Sequence, residues 1–264
     1  DAPRQIQRHI RSGRLEFTQS LSRANPSHGY IDPDWQIVAE TPDRELIVVK
    51  DGLHLHVDRK QHLAKEYRKA AIGDTIPIYL PHNLADRDTY IAVGNYGTPD
   101  RAESVQLYFN FTPAAALDSL PRISHSLNRL GIPFQFAILH DPALFYRYDA
   151  GTLWLPQAGY LAAQQDLSQI YRSHQAEFSA QVPLFTKSLA PGLGLAEVPA
   201  TASFGMQRCE LIAAALVTTL DRDRLGASDK LDLVCQDLAQ QGIDWRRSHL
   251  NSIDTDPYVE LETR

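Results

Sequence analysis

The residues best placed to do chemistry lie between Val182 and Leu216, in VPLFTKSLAPGLGLAEVPATASFGMQRCELIAAAL. This stretch joins a lysine (Lys187), a glycine-rich turn (Gly192, Gly194) and a helix start carrying an arginine (Arg208). Ser203 is a natural N-cap, and Cys209, Ile212, Ala213 and Leu216 then recur at helical spacing. The N-terminus of a helix presents unpaired N–H groups and partial positive charge, so it suits an anion. With Lys187 before it and Arg208 one turn inside it, the segment reads as a phosphate or carboxylate site. The same residues also fit a tight loop packed over a core, with both cations solvated. GLGLAE lacks the GK[ST] of a Walker loop and the third glycine of a dinucleotide fingerprint.

A hairpin, ELIVVK-DG-LHLHVD, supplies further candidates. Asp51-Gly52 favours a type I′ turn. Strand alternation puts Val48, Lys50, Leu53, Leu55 and Val57 on one face, and His54 and His56 on the other with Ile47 and Val49. His54, His56 and His62 have no clustered carboxylate or cysteine at a familiar spacing, so no metal site is expected. No G-x-S-x-G elbow is present for a serine hydrolase.

The elements that must position these groups can be read in order. Residues 4 to 23 are basic and weakly periodic, a helix leading into the domain, and Ala24 to Trp35 reads as a connecting loop. Residues 1–35 thus form a basic helical segment with its linker, and 36–264 one α+β domain with a mixed sheet, a hairpin and flanking helices. IPIYL and TYIAVG are strands. In SVQLYFNF, Val105, Leu107, Phe109 and Phe111 face a core while Gln106, Tyr108 and Asn110 face away. Thr112-Pro113 opens a helix ended by Gly131, which Pro121 should kink or split. IPFQFAIL follows as a strand, giving a β-α-β unit with a right-handed crossover. GTLWLP is another strand, Tyr160 to Ala180 a long helix, and Ser228 to about Gln240 a last helix closed by Gly242.

A chain of 264 residues that is 43% hydrophobic and 22% charged can bury a full core. Its net charge of −6 disfavours nucleic acid as a partner. The longest apolar run is too short to span a bilayer, so no membrane association is expected. Cys209 and Cys235, both on apolar sides of helices, read as buried thiols of a reducing, cytoplasmic protein. The first residues have neither an apolar signal-peptide core nor an initiator Met, so a trimmed N-terminus is expected.

Seven segments, GDTIPIYLPHNL, TYIAVGN, VQLYFNFTP, LGIPFQF, HDPALFYRYDAGTLWLP, PLFTKSLAPGLGLAE and SFGMQRC, run in order from Gly73 to Cys209. Together they resemble the HopA-type effector family, which also supplies the stand-alone phosphoserine/phosphothreonine lyases of class V lanthipeptide and thioamitide biosynthesis. The resemblance implies one α+β domain and no metal or organic cofactor. It implies β-elimination of phosphate from a precursor peptide phosphorylated by a partner Ser/Thr kinase. It also makes Lys187 and Arg208 the phosphate-site residues.

The family's strand after LGIPF carries a lysine where this sequence has Ala137. Either another base serves here, or the chain is an inactivated form. A lysine could act as base only with its pKa lowered by burial or neighbouring cations. By analogy with the separate phosphothreonine lyases of bacterial effectors, His54 or His56 would protonate the leaving phosphate. Arg147 would reach phosphate or pair with Asp149 or Asp141, Lys50 is a further cation, and Tyr108 and Asn110 would orient the substrate backbone. The rival expectation is a non-catalytic, effector-like protein that docks a partner or chaperone.

Overall fold

The computed structural model describes residues 2–199, 203–219, 226–252 and 255–261. Helix α1 (Ala2–Ala24) leads in and buries Phe17 and Leu21 in the main core. The chain then enters strand β1 (Tyr30–Glu40), which pairs with β2 (Leu46–Lys50) and β4 (Thr75–Leu80); β2 also pairs with β3 (Leu53–Val57). The result is a four-stranded sheet of order β3-β2-β1-β4 with its own apolar cluster around Trp35, Ile37, Leu46, Val48 and Ile78. Asp51 and Gly52 have φ of 50° and 80°, as a type I′ turn requires, and the hairpin register matches the alternation read from the sequence.

The expected loop from Ala24 to Trp35 is corrected here, because Tyr30 to Trp35 already belong to β1. Pro33 and Asp34 mask the strand in the sequence. The ladder absorbs them by a register shift between Asp32 and Trp35, where Asp34 takes a φ of 65°. A boundary at residue 35 therefore cuts through a strand.

The second sheet has seven strands: β5 (Asn83–Ala85), β6 (Thr89–Val93), β7 (Ser104–Phe109), β8 (Gln135–Leu139), β9 (Gly151–Pro156), β10 (Lys187–Ala190) and β11 (Leu193–Glu197). Their order is β10-β11-β7-β9-β8-β6-β5. Every named pairing is antiparallel, so the fold is α+β but the sheet is not mixed. The expected β-α-β unit is present in split form: β7 and β8, each antiparallel to β9, run parallel to one another and are joined through α2, but β9 lies between them.

Helices α2 (Pro113–Arg129) and α3 (Gln157–His174) cover one face of this sheet. Leu120, Ile123 and Leu127 of α2, and Tyr160 and Leu167 of α3, meet Leu107, Phe136, Leu153 and Leu195 there. Thr112 caps α2 by accepting from the Ala115 N–H at 3.2 Å. Pro121 does not split the helix, which runs unbroken to Arg129. Helix α3 stops at His174 rather than Ala180, giving way to a short 3₁₀ turn. The last pair, α4 (Phe204–Val217) and α5 (Ala227–Gln240), bury Ala215, Val234 and Leu238 against each other. Cys209 points outward from α4 and is exposed, against the expectation of a buried thiol, while Cys235 is half-buried.

The glycine-rich segment forms the hairpin β10–β11, with Gly192 at its turn, instead of a loop running into α4. The sheet recruits it because Leu193 and Leu195 alternate into the core against Phe109 and Leu107.

Candidate functional site

The face of the large sheet turned away from α2 and α3 carries Gln106 and Tyr108 of β7, Thr152 and Trp154 of β9, and Gln135 and Ala137 of β8. Register fixes two rows across the strands. One is Ala137–Thr152–Tyr108–Gly194, the other Gln135–Trp154–Gln106–Ala196. Over these rows lies a cleft of about 830 Å³. Its floor is Gln106, Tyr108, Thr152 and Trp154, and its walls are Arg101, Asp149, Pro183, Leu184 and the start of α4, Ser203 to Gly205.

The helix start singled out in the sequence, Ser203 to Gly205, stands on the wall of this cleft. Ser203 occupies the N-cap but its side chain makes no capping hydrogen bond, so it leaves the first-turn N–H groups of α4 to other acceptors. Arg101 reaches the same cleft from a 3₁₀ turn that Asp100 caps through the Ala102 N–H at 3.0 Å. Tyr108 is buried, packs 6.5 Å from the Phe204 ring and donates to Gln106 Oε1 at 3.1 Å. Burial raises its phenol pKa; Asp149 adds to the rise and Arg208 opposes it. It is thus a neutral hydrogen-bonding group rather than a base.

Lys187 and Arg208 do not form a phosphate site. Lys187 pairs with Leu195, a core position, so it lies in a register row separate from Tyr108 and Thr152. Its ammonium donates to Asp256 Oδ2 at 2.6 Å and to the Tyr258 carbonyl. Asp256 also meets His249 Nε2 at 3.0 Å. Burial lowers the His249 pKa, against the raising pull of Asp256.

Arg208 is 1% exposed. Its guanidinium donates to the carbonyls of Ser248 (2.8 Å) and Leu250 (2.7 Å), to Asn251 Oδ1 (2.9 Å) and to Gln207 Oε1, and its Cζ lies 4.9 Å from the Phe204 ring centre. Arg208 holds residues 248–251 against α4, and Lys187 holds Asp256 and Tyr258 against the sheet. Ser248 Oγ also donates to the Phe185 carbonyl (3.1 Å), and the Phe185 ring meets Trp245. Residues 245–251 and 256–258 therefore form a strap that ties down both α4 and the 183–185 wall of the cleft.

His54 and His56 stand exposed on β3, an edge strand of the small sheet, and His56 lies 3.5 Å from Glu45. Neither lines the cleft. Lys50 belongs to the same small sheet and is held by Asp32 and the Pro33 carbonyl, each at 3.0 Å. Asn110 is buried and structural: its amide donates to the Gln181 carbonyl at 2.9 Å, holding the loop before β10. Arg147 grips Asp149 with two hydrogen bonds, 2.9 and 2.8 Å, which puts it beside the cleft wall. Tyr108 and Ala137 do share a face, with β9 as intermediary rather than through direct pairing.

Sequence reading missed Arg101, Asp149, Thr152 and Trp154. Alternation in GTLWLP separates Thr152 and Trp154 from Leu153 and Leu155, which was the available signal. Arg101 and Asp149 sit in connections, where no periodicity marks them. Among the described residues no cluster of His, Cys, Asp and Glu could hold a metal ion, and no helix is long and apolar enough to cross a membrane.

A model of the HopA1 effector protein family matches residues 80–250 of the chain. No curated protein matches it. Two solved structures share its fold: the effector protein from Pseudomonas syringae pv. tomato strain DC3000 and that from P. syringae pv. syringae strain 61. The first aligns with a TM-score of 0.56 at 17% identity, the second with 0.56 at 14%. Each alignment covers 91% of this chain and 82% of the other.

Proposed function

This chain belongs to the HopA1 effector protein family, and from that premise we propose that its cleft takes a phosphorylated Ser or Thr side chain, in the manner of the family's peptide-modifying phosphoserine/phosphothreonine lyases. The substrate is a precursor peptide that a Ser/Thr kinase has phosphorylated, and the chemistry needs no organic cofactor or metal. A base removes the Cα proton, the released electron pair forms the Cα=Cβ bond, and the Cβ–O bond breaks with its electrons leaving on phosphate. The product is dehydroalanine or dehydrobutyrine. Arg101 and the α4 N–H groups answer the charge of the departing phosphate, the type of preorganised donor set that stabilises such a leaving group.

The observation that carries this reading is the register row Ala137–Thr152–Tyr108 beneath those donors. A lysine at 137 would extend from the same row as Tyr108, where Arg101 could help depress its pKa toward neutrality. With alanine there, this reading leaves the chain with the proposed phosphate-facing groups and without that base. The exposed apolar side chain of Leu184 on the cleft wall, 75% accessible, suits a peptide ligand and equally favours the second reading, a docking protein without turnover.

Phosphate release from a phosphothreonine peptide, native chain against Ala137→Lys, tests the proposal. General-base catalysis is worth roughly 10²–10⁴-fold, so the lysine form is expected to release phosphate at least about 100-fold faster. Equal release by both would move the base role to another cleft group, with Asp149 the carboxylate at hand. Silence from both on a phosphorylated cognate peptide would overturn the lyase reading in favour of docking.

A further inference from the structure

Helix α4 is apolar on two opposite sides. Its inward side is accounted for: Phe204 packs with Tyr108, Arg208 is tied to residues 248–251, and Leu211, Ile212 and Ala215 meet α5. The outward side repeats Met206, Cys209, Ala213, Leu216 and Val217, alternating steps of three and four residues that make one stripe of a helix. All five are exposed, with Met206 at 58%, Leu216 at 49% and Val217 at 62%. Helix α5 follows the ordinary pattern, turning Ser228, Asp229, Asp232, Gln236 and Gln240 to solvent.

A helix that is apolar all round is a buried one in most proteins, and a contiguous apolar patch left on a surface marks a contact site. From Met206 to Val217 the stripe spans about 16 Å, or roughly three turns, at the α-helical rise. Its spacing is the one by which two helices interlock side by side, and Ala213 at its middle lets a second backbone come close. Charge then narrows the partner. Of the charged residues on α4, Arg208 is buried and Glu210 is exposed on the flank of the stripe. Residues 204–240 hold six acidic and four basic residues, and the buried Arg208 is one of the four. The surface around the stripe is therefore negative and is complemented by a cationic partner. A second copy docked by the same stripe would set acidic against acidic.

We propose that the outward face of α4 docks an amphipathic helix of a partner protein, one with apolar side chains at three- and four-residue spacing over three turns and lysine or arginine on its flanks. The apolar side chains cover Met206, Ala213, Leu216 and Val217, and a flanking cation meets Glu210. The stripe starts one residue past Gly205, the last residue of α4 on the cleft wall. The proposal does not depend on what the cleft binds.

Three synthetic peptides test it on the full chain: a helix with leucine at the stripe positions and lysine elsewhere, its glutamate counterpart, and a scrambled lysine peptide that has no stripe. Calorimetry reads affinity, and maleimide labelling of Cys209 followed by mass spectrometry reads location, with the half-buried Cys235 as internal reference. The lysine helix should bind most tightly of the three and slow labelling of Cys209 but not of Cys235. Combining Met206→Ser, Leu216→Ser and Val217→Ser changes only exposed side chains, and circular dichroism should show the fold kept. That variant should bind the lysine helix about 100-fold more weakly, since covering the exposed half of each such side chain is worth roughly fivefold. Glu210→Lys should narrow the gap between the lysine and glutamate helices.

Failure of the lysine helix to bind would overturn the docking surface. So would binding that leaves Cys209 labelling unslowed, that the scrambled peptide matches, or that survives the three serine substitutions. A glutamate helix that binds more tightly than the lysine one would overturn the stated partner. A native chain that sediments as a dimer, with the serine variant a monomer, would give the stripe to a second copy and likewise overturn it.

Discussion

Arg208→Met should lower the stability of the chain by on the order of 3–5 kcal/mol, because several hydrogen bonds to a charged donor, each worth roughly 1.5–3 kcal/mol, are lost together. Methionine fills the space of the aliphatic stem, so little of the loss comes from a cavity. The loss comes from the Ser248 and Leu250 carbonyls and the Asn251 side chain, which all accept from the guanidinium; the Leu250 bond is fully buried and its carbonyl costs most to leave unpaired. At roughly 2–4 °C per kcal/mol for a chain of this size, the melting temperature should fall by about 10 °C. Thermal unfolding followed by circular dichroism would show it. A shift below about 2 °C would mean that Arg208 is not the strap's anchor, and would return it to candidacy as a phosphate ligand.

The second large effect is expected from Gly192→Ala. Gly192 turns the β10–β11 hairpin at a φ of 72°, in the left-handed region that costs a residue with a Cβ roughly 1–2 kcal/mol. The steric problem is larger. A Cβ there would stand 2.1 Å from the Ser179 carbonyl oxygen and 3.1 Å from that of Asn110, and both are main-chain atoms that cannot swing aside. The hairpin would have to leave β7, and with it the loop that carries the Pro183–Leu184 wall. Loss of soluble expression, or a fall in melting temperature of more than about 10 °C, is the expected result. A variant that melts within about 2 °C of the parent would show that the loop yields where the packing says it cannot.

Those two residues also mark the limit of what the sequence displays. Gly192 and Arg208 stood out as unusual types in an unusual segment, and both matter, but for packing and not for an anion. Local signals read well: the Asp51-Gly52 turn, the two faces of β7 and the Thr112 cap are each decided within a few residues. The same holds for the face shared by Ala137 and Gln135. Reading failed where partners are distant. Nothing near Lys187 announces Asp256, and nothing near Arg208 announces the Ser248 and Leu250 carbonyls. The insertion of β9 between β7 and β8 is a choice of strand order, which alternation cannot encode. Gly194, a poor strand former, hid β11 although Leu193 and Leu195 alternate correctly around it.

The strap has a temporal meaning as well as a spatial one. The contacts from Arg208 to residues 248 and 250 close loops of 40 and 42 residues, and that from Lys187 to Asp256 closes one of 69. Closures of that span lose their entropy before any contact repays it, and so come late in folding. Hydrogen-exchange labelling during refolding should find the β2–β3 hairpin and helix α2, whose contacts are local, protected before the Asn251 amide, which donates to Glu197 Oε2 across 54 residues; simultaneous protection would refute the order. A chain arrested between those moments would hold finished helices and hairpins around an unfinished cleft, helical and stranded by spectroscopy yet with one wall of the cleft still untied.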